Sequence, residues 1–164
     1  MAAPRKLTIA GGAMAALLAL AAPAIQKYEG LSLVPYRDQV GKLTVCYGET
    51  NVKMRRYTLE ECKDMFNGQA EAYSRAVAER NPSLVGHPYQ WAAATSLAYN
   101  IGVGNYNKST VAKNFDAGKW TAACNSFKSW VYAGGRVNRG LQNRRADEIR
   151  LCLTQLPSDV GHRR

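Results

Sequence analysis

Residues 7–25 form a run of nineteen positions without a charge, bounded by Arg5 and Lys6 before it and Lys27 after it. A helix needs about 17 to 25 residues to cross a bilayer, so the run is long enough. It is only weakly apolar, because eight of its residues are Ala and two are Gly. Leu and Ile favour insertion by about 0.3 to 0.6 kcal/mol each near a helix centre, which sums to the order of a few kcal/mol. Thr8, Gly11, Gly12 and Pro23 reduce that sum. The pattern predicts a helix held marginally in a membrane and able to leave it. Helical character continues to Leu31, weakened by Gly30, until Pro35 forces Val34 into an extended or turn conformation and ends the helix.

From residue 36 to residue 50 the chain alternates around turn residues, and Leu43-Thr44-Val45-Cys46-Tyr47 is rich in strand formers. This predicts a small antiparallel hairpin or sheet. Thr58-Leu59-Glu60-Glu61 has the form of a capping box and opens a helix that runs to Arg80, where Asn81-Pro82 stops it. Beyond Pro88 the pattern is helical with short breaks. A helix over 90–100 is apolar around most of its circumference and reads as a buried central element. Gly102-Val103-Gly104-Asn105 ends it; Ser109 caps a helix to Ala117; further helices cover 120–131 and 141–153, separated by Gly134-Gly135. The expected class is α+β, mainly α: a small antiparallel sheet lobe, a long linking helix and an all-helical lobe. The divisions are 1–25 for the apolar segment and 26–164 for the domain, with lobes at 26–58 and 87–156 joined by the helix at 59–80.

With 164 residues and 46% apolar composition the chain can bury a substantial core, and disorder is excluded. A formal net charge of +10 points to polyanionic surroundings. No basic tract is interleaved with aromatics in the manner of a single-strand groove, so a nucleic-acid partner is not expected. Cys46, Cys62, Cys124 and Cys152 include no C-x-x-C pair, and the histidines are His87 and His162 alone, so neither a metal site nor a cofactor is expected. Behind an export segment an even cysteine count favours disulfides over buried thiols. Pairing Cys46 with Cys62 and Cys124 with Cys152 keeps each bond within one half of the chain and leaves a cleft between the halves free to open.

Ala22-Pro23-Ala24 fits a cleavable signal peptide. Cleavage there would leave Glu29 close to a fraying terminus, which holds a catalytic group poorly. An uncleaved anchor is therefore the favoured reading, with the basic end in the cytoplasm and everything after Ile25 outside.

Glycoside hydrolysis commonly uses one carboxylic acid to protonate the leaving oxygen and a second carboxylate to activate water or attack the sugar. Glu29, at the end of an apolar helix, has surroundings that favour the protonated acid, whereas Asp38 lies in a turn between Arg37 and Gln39 and is expected to stay ionised. Thr44, in the adjoining strand, offers a hydroxyl to orient water. Residue types alone leave these as candidates, since a Glu and an Asp nine positions apart are usually solvated charges.

The neighbouring residues add a resemblance. Glu29-Gly30, Tyr36-Arg37-Asp38, Gly41 and Thr44-Val45-Cys46-Tyr47-Gly48 resemble the active-site signature of the phage-type lysozymes, or endolysins. Leu97-Ala98-Tyr99-Asn100-Ile101-Gly102-Val103-Gly104, Ser109-Thr110, Trp130-Val131-Tyr132-Ala133-Gly134-Gly135, Gly140-Leu141 and Arg144-Arg145 with Glu148 continue it in order. With the anchor, the pattern is similar to the signal-anchor-release subgroup of lambdoid phage endolysins.

The resemblance implies a lysozyme-like two-lobe fold and a muramidase that cuts between N-acetylmuramic acid and N-acetylglucosamine in peptidoglycan. Glu29 would be the general acid, and Asp38 with Thr44 would hold the attacking water. Inversion at the anomeric carbon would go with carboxyls about 6.5 to 9.5 Å apart. Arg144 matches the arginine that approaches the acid, favouring its ionised form, and Asn100 matches a side chain facing the sugar. The implied life history is export to the host periplasm, tethering to the inner membrane through residues 7–25, then release, with a functional link to a holin, acting as a monomer on the wall. While anchored, Glu29 would sit within about 6 Å of the anchor's end, and release would let the helix refold onto its lobe. Two departures stand out: Glu49 occupies a place where related sequences often have His, and residues 1–25 contain no cysteine, which excludes thiol exchange with the anchor. A hydrolase acting on chitin or chitosan, and a non-catalytic basic protein that binds walls or disrupts membranes, remain as alternatives.

Overall fold

The computed structural model describes residues 6–161; Arg5, His162, Arg163 and Arg164 lie outside the described residues. Helix α1 spans Gly11–Glu29. Its buried side chains are Met14, Leu17, Ala21 and Ile25, one stripe at helical spacing, while Pro23 faces outward. Gly30, at φ 67°, ends the helix, so it stops at Glu29 and does not reach Pro35. Strand β1 (Ser32–Arg37) takes up the following residues and pairs antiparallel with β2 (Leu43–Cys46), Tyr36 opposite Thr44. A register irregularity between Ser32 and Tyr36 brackets Pro35, which has no N–H to give the ladder.

Helix α2 (Leu59–Arg80) begins at the expected capping box: the Thr58 hydroxyl accepts from the Glu61 N–H at 3.1 Å, and the Glu61 carboxylate accepts from the Thr58 N–H at 2.7 Å. Helix α3 (Pro88–Ile101) is the centre of the molecule, with every residue from Gln90 to Ala98 buried. The cores of α1, α2 and α7 (Arg139–Cys152) all pack on it. Short helices α4 (Val103–Lys108), α5 (Thr110–Asp116) and α6 (Trp120–Ser126) complete the helical region.

Three of the expected breaks turn out differently. Gly102 breaks α3 at φ 86°, but the chain resumes as α4 one residue later. The helix expected over 120–131 is α only to Ser126 and tightens to a 3-10 turn over Phe127–Ser129, a common way for a helix to end. Gly134 and Gly135, at φ 58° and 75°, are the turn of a two-residue hairpin, β3 (Tyr132–Ala133) with β4 (Arg136–Val137), because both positions require the left-handed conformation.

Disulfides join Cys46 to Cys62, tying β2 to the first turn of α2, and Cys124 to Cys152, tying α6 to the end of α7. Among the described residues no helix is long and apolar enough to cross a membrane. The reason is register. The charge-free run occupies 7–25, whereas α1 starts at Gly11 and ends on Gln26, Lys27, Tyr28 and Glu29, so the folded helix surrenders Leu7 and Ile9 and takes in polar residues. The packed helix and the apolar run are offset along the same sequence.

Candidate active site

Glu29 is the last residue of α1, and its position follows from the buried stripe that seats the helix on α3. Its Oε1 accepts a hydrogen bond from Arg144 Nη1 at 2.7 Å, the arginine being 4% exposed and the glutamate 21%. Arg144 is held by α7 and α3 together: its Nε donates to Glu148 Oε1 at 3.2 Å and its Nη2 to the carbonyl of Ser96 at 3.3 Å. The Ser96 hydroxyl donates to the same Glu148 oxygen at 2.7 Å. Arg145 stands 3.2 Å from Glu148 Oε2 and donates to Asn100 Oδ1. A chain of polar contacts therefore runs from the part-buried Glu29 through the buried Arg144, Glu148 and Arg145 to the exposed amide of Asn100. Burial pushes the Glu148 carboxyl up, against the pull of Arg145, Ser96 and Arg144.

Asp38 sits where β1 turns toward β2. Its Oδ1 accepts the backbone N–H groups of Val40 at 3.0 Å and Lys42 at 2.8 Å, a turn in which Gly41 takes φ 81°. Thr44 is buried, and its hydroxyl donates to the carbonyl of Lys42 at 3.0 Å. Lys42 thus links Asp38 to Thr44 through its two backbone groups. The second oxygen of Asp38 stays outside the hydrogen bonds of the turn.

The loop after β2 closes over the acid. Gly48 has φ 96°, a conformation that favours glycine, and a Cβ there would be in van der Waals contact with Glu29 Oε2 at 3.4 Å. Beyond the charge chain, Asn100, Ile101, Asn105, Ser129, Trp130, Tyr132 and Leu141 line a cavity of about 440 Å³. Its amides and aromatic faces suit a sugar. A larger hollow of about 900 Å³ lies between Thr121 and residues 156–161 and touches none of the candidate residues.

The arrangement pairs Glu29 with Arg144 directly and Asp38 with Thr44 through Lys42; Asn100 meets Arg145, not Arg144. Arg145 and Glu148 carried no assigned role in the sequence, although Glu148 lies three positions after Arg145 and four after Arg144 on one helix, a spacing that signals an ion-pair cluster. Glu49 stood out there only as a departure. The phage lysozyme family model matches residues 26–148. The chain belongs to the phage lysozyme family. Relatives in that family include the SAR-endolysin of Enterobacteria phage P21, 38% identical over 130 residues, covering 76% of this chain and 77% of the relative. The SAR-endolysin of Escherichia phage Mu is 34% identical over 145 residues, covering 87% and 84%. Among solved structures, the active form of the P1 phage endolysin Lyz superposes with a TM-score of 0.73 at 27% identity, covering 85% of this chain and 84% of that one. This phage lysozyme is mainly helical with a small antiparallel sheet, as the fold class anticipated.

Proposed function

We propose that this phage lysozyme is a muramidase that hydrolyses the β-1,4 bond between N-acetylmuramic acid and N-acetylglucosamine in peptidoglycan, and so opens the host wall. The observation that carries the reading is the family match over 26–148, which spans Glu29, Asp38, Thr44, Asn100 and Arg144 alike. Asp38 presents an unengaged carboxylate oxygen that accepts a proton from water, with Thr44 positioned beside it through Lys42. That water attacks the anomeric carbon as the glycosidic bond breaks, and Glu29 delivers its proton to the departing oxygen. The cavity at Asn100 and Trp130 holds the sugar on the helical side.

The same reading covers delivery. Residues 7–25 serve as an anchor before release, as the relatives named SAR-endolysin favour, and the packed α1 is the released form. The sheet lobe at 26–58, the linking helix at 59–80 and the helical lobe at 87–156 are the parts between which the wall strand lies.

Purified peptidoglycan and chitin oligomers, each digested with the full-length protein, separate the substrate classes. Soluble muropeptides whose masses carry an N-acetylmuramic acid reducing end are expected from the wall, with chitin hydrolysed far more slowly. Equal hydrolysis of chitin, or N-acetylglucosamine reducing ends from the wall, contradicts the assignment.

A further inference from the structure

The cavity beside Trp130 is lined by two asparagine amides whose orientations are fixed by partners with only one way to bond. Asn100, near the end of α3, accepts from Arg145 Nη2 through its Oδ1. A guanidinium has donors and no acceptor, so the amide oxygen must be the atom that faces it. Asn105, in α4, donates from Nδ2 to the carbonyl of Ile101 at 2.8 Å. A carbonyl only accepts, so at this position the amide nitrogen is the atom turned onto the helix. Both side chains are exposed, and both border the same space of about 440 Å³. The atoms left for a bound group are therefore opposite in kind: the N–H groups of Asn100 and the oxygen of Asn105.

Arg145 is the unexpected part of this arrangement. It is 1% exposed, and its Nε stands 3.2 Å from Glu148 Oε2 without an aligned hydrogen bond. Neither Nε nor Nη1 has a hydrogen-bond partner among the described residues. Burying a cation with idle donors is costly. Glu148 has a cation without it, because Arg144 Nε and the Ser96 hydroxyl both donate to Glu148 Oε1. Among the described residues, the one hydrogen bond of the Arg145 guanidinium goes to Asn100.

We propose that Arg145 is a specificity-determining positioning residue: by holding the Asn100 oxygen it leaves the Asn100 N–H groups to the cavity, where, with the Asn105 oxygen, they bind the C=O and N–H of a substrate amide. The proposal rests on the muramidase reading and names the group that this part of the site selects. A secondary amide carries an acceptor and a donor on neighbouring atoms, which is the complement of the two asparagines. Ile101, Trp130 and Leu141 line the same cavity and give apolar contact to the alkyl end of such a group. Peptidoglycan carries secondary amides in the acetamido groups of its sugars and in the peptides attached to them, and the same pair of asparagines suits either.

The test is KM and kcat on soluble glycan strands, with and without their peptides, for wild type, Asn100→Asp, Asn105→Ala, Arg145→Met and Arg145→Lys, with thermal melting of each. Asn100→Asp is close to isosteric and sets a carboxylate against Arg145, so its melting temperature should match or exceed that of wild type. It has no N–H to offer, so its KM should rise about tenfold while kcat stays within about twofold. Asn105→Ala removes the acceptor and should raise KM several-fold on the same strands. Arg145→Met frees the Asn100 amide to turn and should raise KM by a smaller factor than Asn100→Asp. Arg145→Lys, again a donor without an acceptor, should bring KM back toward wild type. A penalty kept on peptide-free strands assigns the acetamido group; one confined to peptide-bearing strands assigns the peptide amide. Wild-type KM in a folded Asn100→Asp protein overturns the proposal, as does wild-type KM in a folded Arg145→Met protein. Asn100→Asp and Asn105→Ala alter exposed side chains, so they decide the matter even where Arg145→Met does not fold. Wild-type protein that cuts none of the strands would remove the muramidase reading itself; an active wild type beside an unmoved Asn100→Asp would remove only the amide contact.

Discussion

In the proposed reaction Glu29 delivers a proton to the leaving oxygen, and a buried guanidinium donates to its carboxylate at 2.7 Å. Arg144 cannot be spared for catalysis alone, because it also neutralises Glu148, which is 2% exposed. Removing one partner of a buried pair leaves the other uncompensated, at a cost of about 3 to 5 kcal/mol. Arg144→Met should therefore destabilise the fold by about 3 kcal/mol in a denaturant melt, besides lowering kcat. Arg144→Lys should recover part of the stability and little of the activity, since an ammonium cannot reach Glu29, Glu148 and Ser96 with separate fixed donors. A melt unchanged in Arg144→Met would mean that Glu148 is held by Arg145 without help. Glu29, Asp38 and Thr44 were legible in the sequence as a motif. The pairing of Asn100 with Arg145 was not, because which of two adjacent arginines faces a given element depends on how α3 and α7 cross.

Under the proposed delivery route, helix α1 has two environments to satisfy with one sequence, and its glycines bear on how they are divided. A Cβ on Gly11 or Gly12 would meet nothing within 4 Å in the folded enzyme. Both residues lie in the charge-free run, 7–25, that the proposed anchor would use. Gly11→Leu with Gly12→Leu should leave the packed enzyme intact, and should add about 0.3 to 0.6 kcal/mol of insertion per residue, beyond the removal of a glycine penalty. The expected result is protein retained in the membrane fraction with delayed lysis, and full specific activity once extracted and refolded. Unchanged release and lysis would count against the anchor.

At this scale the capping box at Thr58 was readable because its two hydrogen bonds are local. The limits of α1 were not, since the apolar run predicts where a membrane would hold the chain, whereas Met14, Leu17, Ala21 and Ile25 mark what the core holds. The hairpin at Gly134-Gly135 was read only as a break, because strands of two residues leave no periodicity to detect.

Across the whole molecule, Glu29, the proposed acid, is brought by the first helix, Arg144 by the last, and the Asp38 turn by the sheet between them in sequence. No one segment contains the site, so the folded chain as a unit makes the enzyme. The central helix was legible from its apolar circumference, and it is the common surface on which the other elements meet. Glu49 was visible only as an unusual residue; its burial against Gln69 is a consequence of how β2 docks on α2, secured by the Cys46–Cys62 disulfide. The most direct measurement is loss of turbidity of purified peptidoglycan by full-length protein and by its Glu29→Gln variant at equal concentration, with matching circular dichroism. Clearing by the wild type and a fall of at least about a thousandfold in the variant are expected for removal of the proton donor. Clearing of the wall by a folded Glu29→Gln protein at the wild-type rate would contradict the account.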